Sequence, residues 1–150
     1  MPELFLRNTE KTEELGALLA KQTPQGGTWL LKGKLGAGKT TWTRGFVQGL
    51  GGQADAVSSP TYAVMHCYES PQGRIFHIDL YRTGPSGIWG LGLEELVSQS
   101  DRLVVEWAGS DGPWPTEWVS LLELVELSSG RAANWAGSAA GLPSKNRTIL

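Results

Sequence analysis

One run of residues near the amino terminus has the types and spacing of a phosphate-binding loop. Residues 33–40 fit the pattern G-x-x-x-x-G-K-[ST], and they read Gly33-Lys34-Leu35-Gly36-Ala37-Gly38-Lys39-Thr40. In such a loop the glycines let successive backbone N–H groups point at nucleotide phosphates, and the helix that follows adds its positive amino-terminal end. The pattern predicts that Lys39 reaches the β and γ phosphates and that the Thr40 hydroxyl binds magnesium.

The residues on either side of this run have the composition of the strand and helix that position a phosphate loop. Residues 28–32 are rich in β-formers and end at the first glycine of the pattern. Residues 40–50 place Phe46, Val47 and Leu50 at helical spacing. A strand, a glycine loop and a helix in this order favour a working P-loop over a chance match.

Two carboxylates stand at the ends of apolar strands, where we expect the residues that bind the Mg²⁺ ion from a second side. Residues 74–79 end in Asp79, and residues 103–106 end in Glu106. Hydrolysis of a nucleotide needs Mg²⁺ held from a second side and a group that orients water. Either acid could take the metal while the other positions the water. Thr61 lies in a polar loop after the P-loop helix, where it is either a switch residue near the γ phosphate or a plain turn residue.

The rest of the chain predicts a mixed sheet. Residues 63–68 and 74–79 alternate in β fashion around a Pro- and Gly-containing turn, which indicates an antiparallel hairpin. Nucleotide-binding sheets are mostly parallel, so the two arrangements must coexist. Residues 102–107 read as a buried strand, and residues 118–127 read as an edge strand. An amphipathic helix is expected over residues 9–21.

We therefore expect an α/β chain with a three-layer P-loop NTPase-like domain and a mixed parallel/antiparallel sheet. The 150 residues suffice for one domain, predicted over residues 1–135 with a last strand at 131–135, and residues 136–150 are predicted to be a flexible tail. No stretch approaches the roughly 20 apolar residues of a membrane span, and no apolar signal core is present, so we expect a cytoplasmic protein without membrane contact.

Charge and the remaining reactive side chains exclude several other functions. The net charge is −2 and the basic residues are scattered, so direct binding to RNA or DNA would be weak. Cys67 is predicted to be a buried inert thiol. His66 and His77 have no Cys or His at ligand spacing, so they are expected to be packed or surface residues and no zinc site is predicted. No Asn-Lys-x-Asp run is present, which favours ATP over GTP.

Several segments, taken together, resemble one family. They are Gly36-Ala37-Gly38-Lys39-Thr40-Thr41 with Arg44-Gly45, then Ser59-Pro60-Thr61-Tyr62, His77-Ile78-Asp79-Leu80-Tyr81-Arg82, Gly92-Leu93-Glu94-Glu95 and Glu106-Trp107. Their order and spacing resemble the TsaE (YjeE) P-loop ATPases of bacterial tRNA modification. The resemblance implies an ATPase subunit, with ATP and Mg²⁺, that is needed for tRNA N6-threonylcarbamoyladenosine (t6A37) modification. It also implies that the protein acts on a complex of TsaD and TsaB, does not transfer the group itself, and meets tRNA only through that complex.

The resemblance also implies residue roles. Catalytic roles fall to Lys39, Asp79, Glu106 and Thr61, and metal binding to Thr40, Glu106 and Asp79. Nucleotide contacts are implied for Leu35, Gly36, Ala37, Gly38, Lys39, Thr40, Thr41, Asn8, Trp107 and Arg131. One residue departs from the family, which usually has aspartate at the position of Lys34. A second cation there could tighten phosphate binding or meet a different partner surface.

Two other functions remain open at this point. A small-molecule kinase would need an acceptor pocket, for which this short chain offers little sequence. A nucleotide-gated binding module would use ATP to order residues 58–62 for docking, with negligible hydrolysis. An ATPase of this kind is expected to be slow alone, because no arginine finger stands at a fixed place; Arg44 and Arg82 are candidates that salt bridges would also explain.

Overall fold

In the computed structural model, which describes residues 3–58, 64–109 and 111–139, the chain alternates between strands and helices. Within those residues it forms β1 (Glu3–Leu6), α1 (Thr9–Gln22), β2 (Thr28–Lys32), α2 (Lys39–Gly49), β3 (Met65–Tyr68), β4 (Ile75–Asp79), α3 (Leu93–Leu96), β5 (Arg102–Glu106), β6 (Val119–Leu127) and β7 (Gly130–Gly137). Two 3₁₀ helices span Ala54–Ala56 and Pro85–Leu91.

The strands form one mixed sheet in the order β1-β7-β6-β2-β5-β4-β3. β2 runs parallel to β5 and to β6, and β4 runs parallel to β5. The pairs β3–β4, β6–β7 and β1–β7 are antiparallel. The predicted α/β class, the mixed sheet and the hairpin of β3 and β4 are therefore confirmed.

The expectation about β6 was wrong, and β1 was not predicted. β6 is not an edge strand, because it lies between β2 and β7 and pairs in parallel with β2 from Thr28↔Val119 onward. Its alternating Leu and Glu residues arise because helices cover one face of the strand and not the other. The edges of the described sheet are β3 and β1, and β1 was not predicted because it is only four residues long.

The helices α1 and α2 cover one face of the sheet and approach each other unusually closely. Trp29 of β2 packs edge-on against Trp42 of α2, with ring centroids 5.4 Å apart. Glycines let the two helix backbones touch: a Cβ built on Gly45 would lie 2.0 Å from the carbonyl oxygen of Glu13, and one on Gly16 would lie 2.2 Å from that of Trp42. α1 and α2 thus form a rigid layer beneath the P-loop.

Among the described residues, helical segments cover only part of the opposite face of the sheet. Short helical segments place Ile88 and Leu93 against β2, β5 and β4, where they bury Leu30, Phe76, Ile78, Leu103 and Val105. The part of this face formed by β6 and β1 presents large apolar side chains that are 40–44% exposed, namely Phe5, Leu121, Val125 and Leu127. The third layer of the predicted three-layer domain is therefore thin within the described residues, and it covers the part of the face formed by β2, β5 and β4.

Three further expectations concern Cys67, the tail and the membrane. Cys67 is exposed rather than buried, because β3 is an edge strand of the described sheet. β7 continues to Gly137, and Ala139 is buried, while residues 140–150 of the predicted tail lie outside the described residues. None of the described helices is long and apolar enough to cross a bilayer. The domain boundary at residue 135 stays a prediction.

Candidate functional site

The loop between β2 and α2 has the backbone geometry that phosphate binding needs. Gly36 and Gly38 adopt φ angles of 82° and 110°, a region that is costly for residues with a side chain. α2 begins at Lys39, and among the described residues no side chain caps its first turn. The first N–H groups of a helix have no partner within the helix, so an uncapped amino terminus offers them to an anion. Thr40 and Thr41 stand in this same first turn.

The ammonium group of Lys39 is almost fully buried beside the loop. The residue is 5% exposed, and Nζ donates a hydrogen bond of 2.6 Å to the carbonyl oxygen of Gly33. Nζ also lies 3.9 Å from Oε1 of Glu106 and 3.9 Å from the ring centroid of Trp107. Burial lowers the pKa of Lys39, and the negative charges of Glu106 and Asp79 partly oppose that shift. A phosphate group would add a stronger anionic partner to this buried cation.

The two predicted acids lie side by side at the carboxyl ends of β4 and β5. Asp79 and Glu106 are direct partners in the parallel register, and Glu106 also pairs with Leu31 at the end of β2. Glu106 is 3% exposed. Asp79 is less buried, and its Oδ1 accepts a hydrogen bond of 2.8 Å from the backbone N–H of Tyr81. The sheet therefore places both acids at the edge beside Lys39.

A magnesium ion fits this arrangement only as an ion shared with a nucleotide. Among the described residues no three His, Cys, Asp or Glu side chains gather in a metal-binding group. Mg²⁺ is commonly held by one or two protein oxygens together with substrate phosphates and water. Among the described residues, oxygen donors are carried by Thr40 in the first turn of α2 and by Asp79 and Glu106 at the ends of β4 and β5. The donor set therefore suits Mg²⁺ brought by a triphosphate and does not form a closed protein cage.

Trp107 forms one wall of the site in a strained conformation. Its φ angle is 63°, and within residues 3–58, 64–109 and 111–139 it is the only non-glycine residue with a positive φ. Its ring packs against Tyr81 with centroids 5.0 Å apart, and Lys39 Nζ lies over the same ring, 3.9 Å from its centroid. Such a backbone conformation costs about 1–3 kcal/mol and persists only where surrounding contacts hold it.

Arg131 stands on the other side of the loop from the acids. It lies in β7 opposite Leu6, and a Cβ built on Gly38 would be only 2.7 Å from its Nε. That Nε is buried and has no hydrogen-bond partner among the described residues. A buried donor without a partner is costly, so this nitrogen is well placed to meet an acceptor brought by a ligand.

Asn8 lies two residues after the end of β1, the strand whose last residue pairs with Arg131. Its Oδ1 accepts a hydrogen bond of 2.9 Å from the backbone N–H of Lys11 and thereby caps α1. The side-chain oxygen is thus committed to the helix, and the amide nitrogen is the group left for a ligand.

Thr61 and Lys34 are two further residues that the sequence singled out. Thr61 lies outside the described residues. Lys34 is exposed at the outer side of the loop, where it borders a groove of about 700 Å³. The groove is lined by apolar and acidic residues of β6, among them Glu123 and Glu126, and by Trp107.

One residue of the site was missed by the sequence reasoning. His77 is fully buried, and its Nε2 lies 2.6 Å from Oε2 of Glu106. The hydroxyl of Tyr68 lies 3.4 Å from His77 Nδ1 and 3.3 Å from His66 Nδ1. The sequence did contain a signal for this residue. His77 stands two residues before Asp79 on β4, and alternate side chains of a strand point to the same face, so both side chains share one face.

These motifs, in this order and at this spacing, have a counterpart among known proteins. The family model described as "Threonylcarbamoyl adenosine biosynthesis protein TsaE" matches residues 6–131. The chain belongs to the TsaE family. The resemblance drawn from the sequence motifs is thereby confirmed, and the match extends from the end of β1 through the P-loop to Arg131.

Curated TsaE relatives match over most of the chain. The tRNA threonylcarbamoyladenosine biosynthesis protein TsaE of Nostoc sp. is 38% identical over 126 residues, which are 81% of this chain and 77% of the relative. The Bacillus subtilis protein of the same name is 38% identical over 101 residues, or 67% of this chain and 63% of the relative. The Rickettsia felis protein is 36% identical over 106 residues, and the match spans 70% of this chain and 61% of that relative.

A solved structure has the same fold. The crystal structure of Bacillus subtilis YdiB aligns with a TM-score of 0.66 and 21% sequence identity, covering 99% of this chain and 90% of the other. At this identity the likeness supports the architecture, a P-loop α/β fold with a mixed sheet. It carries no argument about ligands.

Proposed function

We propose that this protein is a Mg²⁺-dependent ATPase subunit needed for t6A37 modification of tRNA. In this proposal it acts in the cytoplasm on a complex of TsaB and TsaD, does not transfer the threonylcarbamoyl group, and meets tRNA only through that complex. The observation that carries the ATPase part is the buried Lys39 ammonium, 3.9 Å from the buried Glu106 carboxylate and next to an uncapped helix terminus. The names of the TsaE relatives support the part that concerns tRNA modification.

The residues of the site have separable roles in this mechanism. Lys39 exchanges its bond to the Gly33 carbonyl for the β and γ phosphates, and the N–H groups at the start of α2 bind the same oxygens. The Thr40 hydroxyl and an acidic oxygen would hold Mg²⁺, and the bound ion would supply neutralisation of the phosphate charge. Glu106 orients the attacking water, and Asp79 stands beside it at the end of β4. Trp107 limits access of bulk water to Lys39.

Slow hydrolysis by the isolated chain is part of the proposal. Arg44, one of the two candidates for an arginine finger, is 4.0 Å from Glu13 on α1, which keeps it on the helix layer. An arginine supplied by a partner would stabilise the charge that develops in the transition state and can raise the rate by about 10³-fold or more. Stimulation by TsaB and TsaD is therefore expected.

The test compares ATP hydrolysis by wild type and Glu106→Gln, each alone and with purified TsaB and TsaD from the same organism. We expect stimulation of the wild type, and in Glu106→Gln a loss of about 100-fold or more with ATP binding retained. Glu117→Gln is the matched control, since Glu117 is exposed just before β6, at the other end of the sheet. Brisk hydrolysis by the chain alone, unchanged by the partners, would contradict the proposal.

The two alternative functions give different results in the same assay. A nucleotide-gated binding module would keep its partner binding and its contribution to tRNA modification in Glu106→Gln. A small-molecule kinase would convert ATP only when a metabolite acceptor is added. An ATPase cycle instead stalls in Glu106→Gln with partners bound.

A further inference from the structure

Glu106 has its two carboxylate oxygens in different environments. Oε2 is 2.6 Å from Nε2 of His77, whereas Oε1 faces Lys39 Nζ at 3.9 Å. His77 is 0% exposed and Glu106 is 3% exposed, so water competes for neither. The short contact is thus a strong buried hydrogen bond, and it leaves Oε1 as the oxygen directed toward the phosphate side of the site.

The hydrogen-bond inventory assigns the protons along this contact. An ionised carboxylate only accepts, so His77 Nε2 must carry the hydrogen that it shares with Glu106. In a neutral ring the other nitrogen, Nδ1, is then an acceptor. The Tyr68 hydroxyl lies 3.4 Å from Nδ1 and 3.3 Å from His66 Nδ1, and its single hydrogen can go to Nδ1 of His77 or to the carbonyl oxygen of Ser58, which is also 3.4 Å away. When that hydrogen points to His77, Tyr68 on β3 favours the tautomer that His77 needs in order to bind Glu106.

We propose that His77 is a positioning residue for Glu106, and that Tyr68 fixes the ring of His77. The inference rests on the proposed function, in which Glu106 orients water for ATP hydrolysis. Without the Nε2–H group, Oε2 is a buried acceptor with no hydrogen-bond partner among the described residues, and Lys39 Nζ lies 3.9 Å from Oε1 of the same carboxylate. The carboxylate then turns toward Lys39, and both groups leave the positions that phosphate and water require. His77 itself touches neither nucleotide nor water in this scheme.

Substitutions that place an amide at one or the other ring nitrogen separate positioning from mere packing. Glutamine at position 77 can present its amide N–H near the place of Nε2, whereas asparagine is too short to reach Glu106. With TsaB and TsaD present, we expect His77→Gln to keep kcat within about threefold of wild type. His77→Asn should lose about 10–100-fold in kcat, as is usual for groups that orient a reacting or metal-bound residue, with KM for ATP changed much less.

A spectroscopic measurement tests the contact without any turnover. The chain has only two histidines, so long-range ¹H–¹⁵N spectra of histidine-labelled protein contain two rings, and His66→Gln assigns them. We expect His77 to be the Nε2–H tautomer, with a downfield proton that exchanges slowly with water. Tyr68→Phe should weaken this preference and lower kcat a few-fold. A His77 ring protonated only on Nδ1 would overturn the inference, because Nε2 could then not donate to Glu106.

The kinetic arm can also overturn the proposal. If His77→Asn hydrolyses ATP as fast as wild type, or if Gln and Asn variants with equal melting temperatures are equally impaired, the pair is structural and positions nothing. A wild type that hydrolyses no ATP with its partners would refute the proposed function instead. In that case the tautomer measurement still decides whether His77 holds Glu106, so the two failures are distinguishable.

Discussion

Replacement of Gly45 by alanine tests the close contact between α1 and α2. In an exposed helix this change should stabilise the protein by about 1 kcal/mol, because glycine is the poorer helix former. Here the new Cβ would lie 2.0 Å from the carbonyl oxygen of Glu13 and 2.6 Å from its carbonyl carbon, where ordinary contact begins at 3.4 Å. The atoms in its way belong to the backbone and cannot rotate aside. The helices must therefore separate by about an ångström.

The expected size follows from two opposing terms. Overpacking that forces a backbone shift costs up to about 3 kcal/mol. After subtraction of the gain of about 1 kcal/mol in helix propensity, we expect a net loss of about 2 kcal/mol in the free energy of unfolding. With a urea m-value of about 2 kcal/mol per molar, the midpoint should fall by about 1 M with an unchanged slope.

Urea unfolding at 25 °C, followed by far-UV circular dichroism, measures this loss. Gln48→Ala is the control, because Gln48 is exposed on the same helix and its replacement should stay within about 0.5 kcal/mol of wild type. A Gly45→Ala midpoint equal to or above that of wild type would refute the reasoning, since the helices would then have room for a methyl group.

Three further changes have defined outcomes. Arg131→Ala should weaken ATP binding about 10-fold in calorimetry. The buried Nε of Arg131 has no hydrogen-bond partner among the described residues, so it can donate to an oxygen of the bound nucleotide. Asp101→Asn should cost about 2 kcal/mol in urea at pH 7. Burial alone would raise the pKa of Asp101, but hydrogen bonds led by those from Arg74 outweigh it and hold the pKa below its ordinary value. The difference from wild type should therefore begin to shrink as the pH falls below about 4, the ordinary value, and be lost as the pH falls through the lowered pKa. Thr23→Val should cost about 1–3 kcal/mol in urea, because Trp29 Nε1 loses its buried acceptor, while Thr23→Ser should not.

The sequence predicted those parts of the fold that depend on neighbouring residues. β2 and β5 were recognised from short apolar runs, and their bounds agree with the structure to within a residue. The helix predicted over residues 9–21 is α1, Thr9–Gln22, with Asn8 as its cap. A glycine loop between a strand and a helix fixes its own geometry, so the position of Lys39 was predictable as well.

Distant pairings were not predictable from one sequence. β1 is too short to carry a periodic signal, and its partner β7 follows more than a hundred residues later. No local sequence pattern therefore indicated this strand or its pairing. β6 pairs in parallel with β2, and a strand pattern does not reveal which neighbour it will have. The contact between His77 and Glu106 joins two strands whose register only the folded sheet determines.

The pairing of β1 with β7 has a consequence for how the chain is made. Within the described sheet the only neighbour of β1 is β7, which is synthesised more than a hundred residues later. The helix layer and the P-loop can form earlier, but residues 3–6 must wait for residues 130–137. Asn8 and Arg131, on either side of this seam, therefore reach their places only after β7 has been made, so a truncated chain that folds its P-loop still lacks this side of the candidate site.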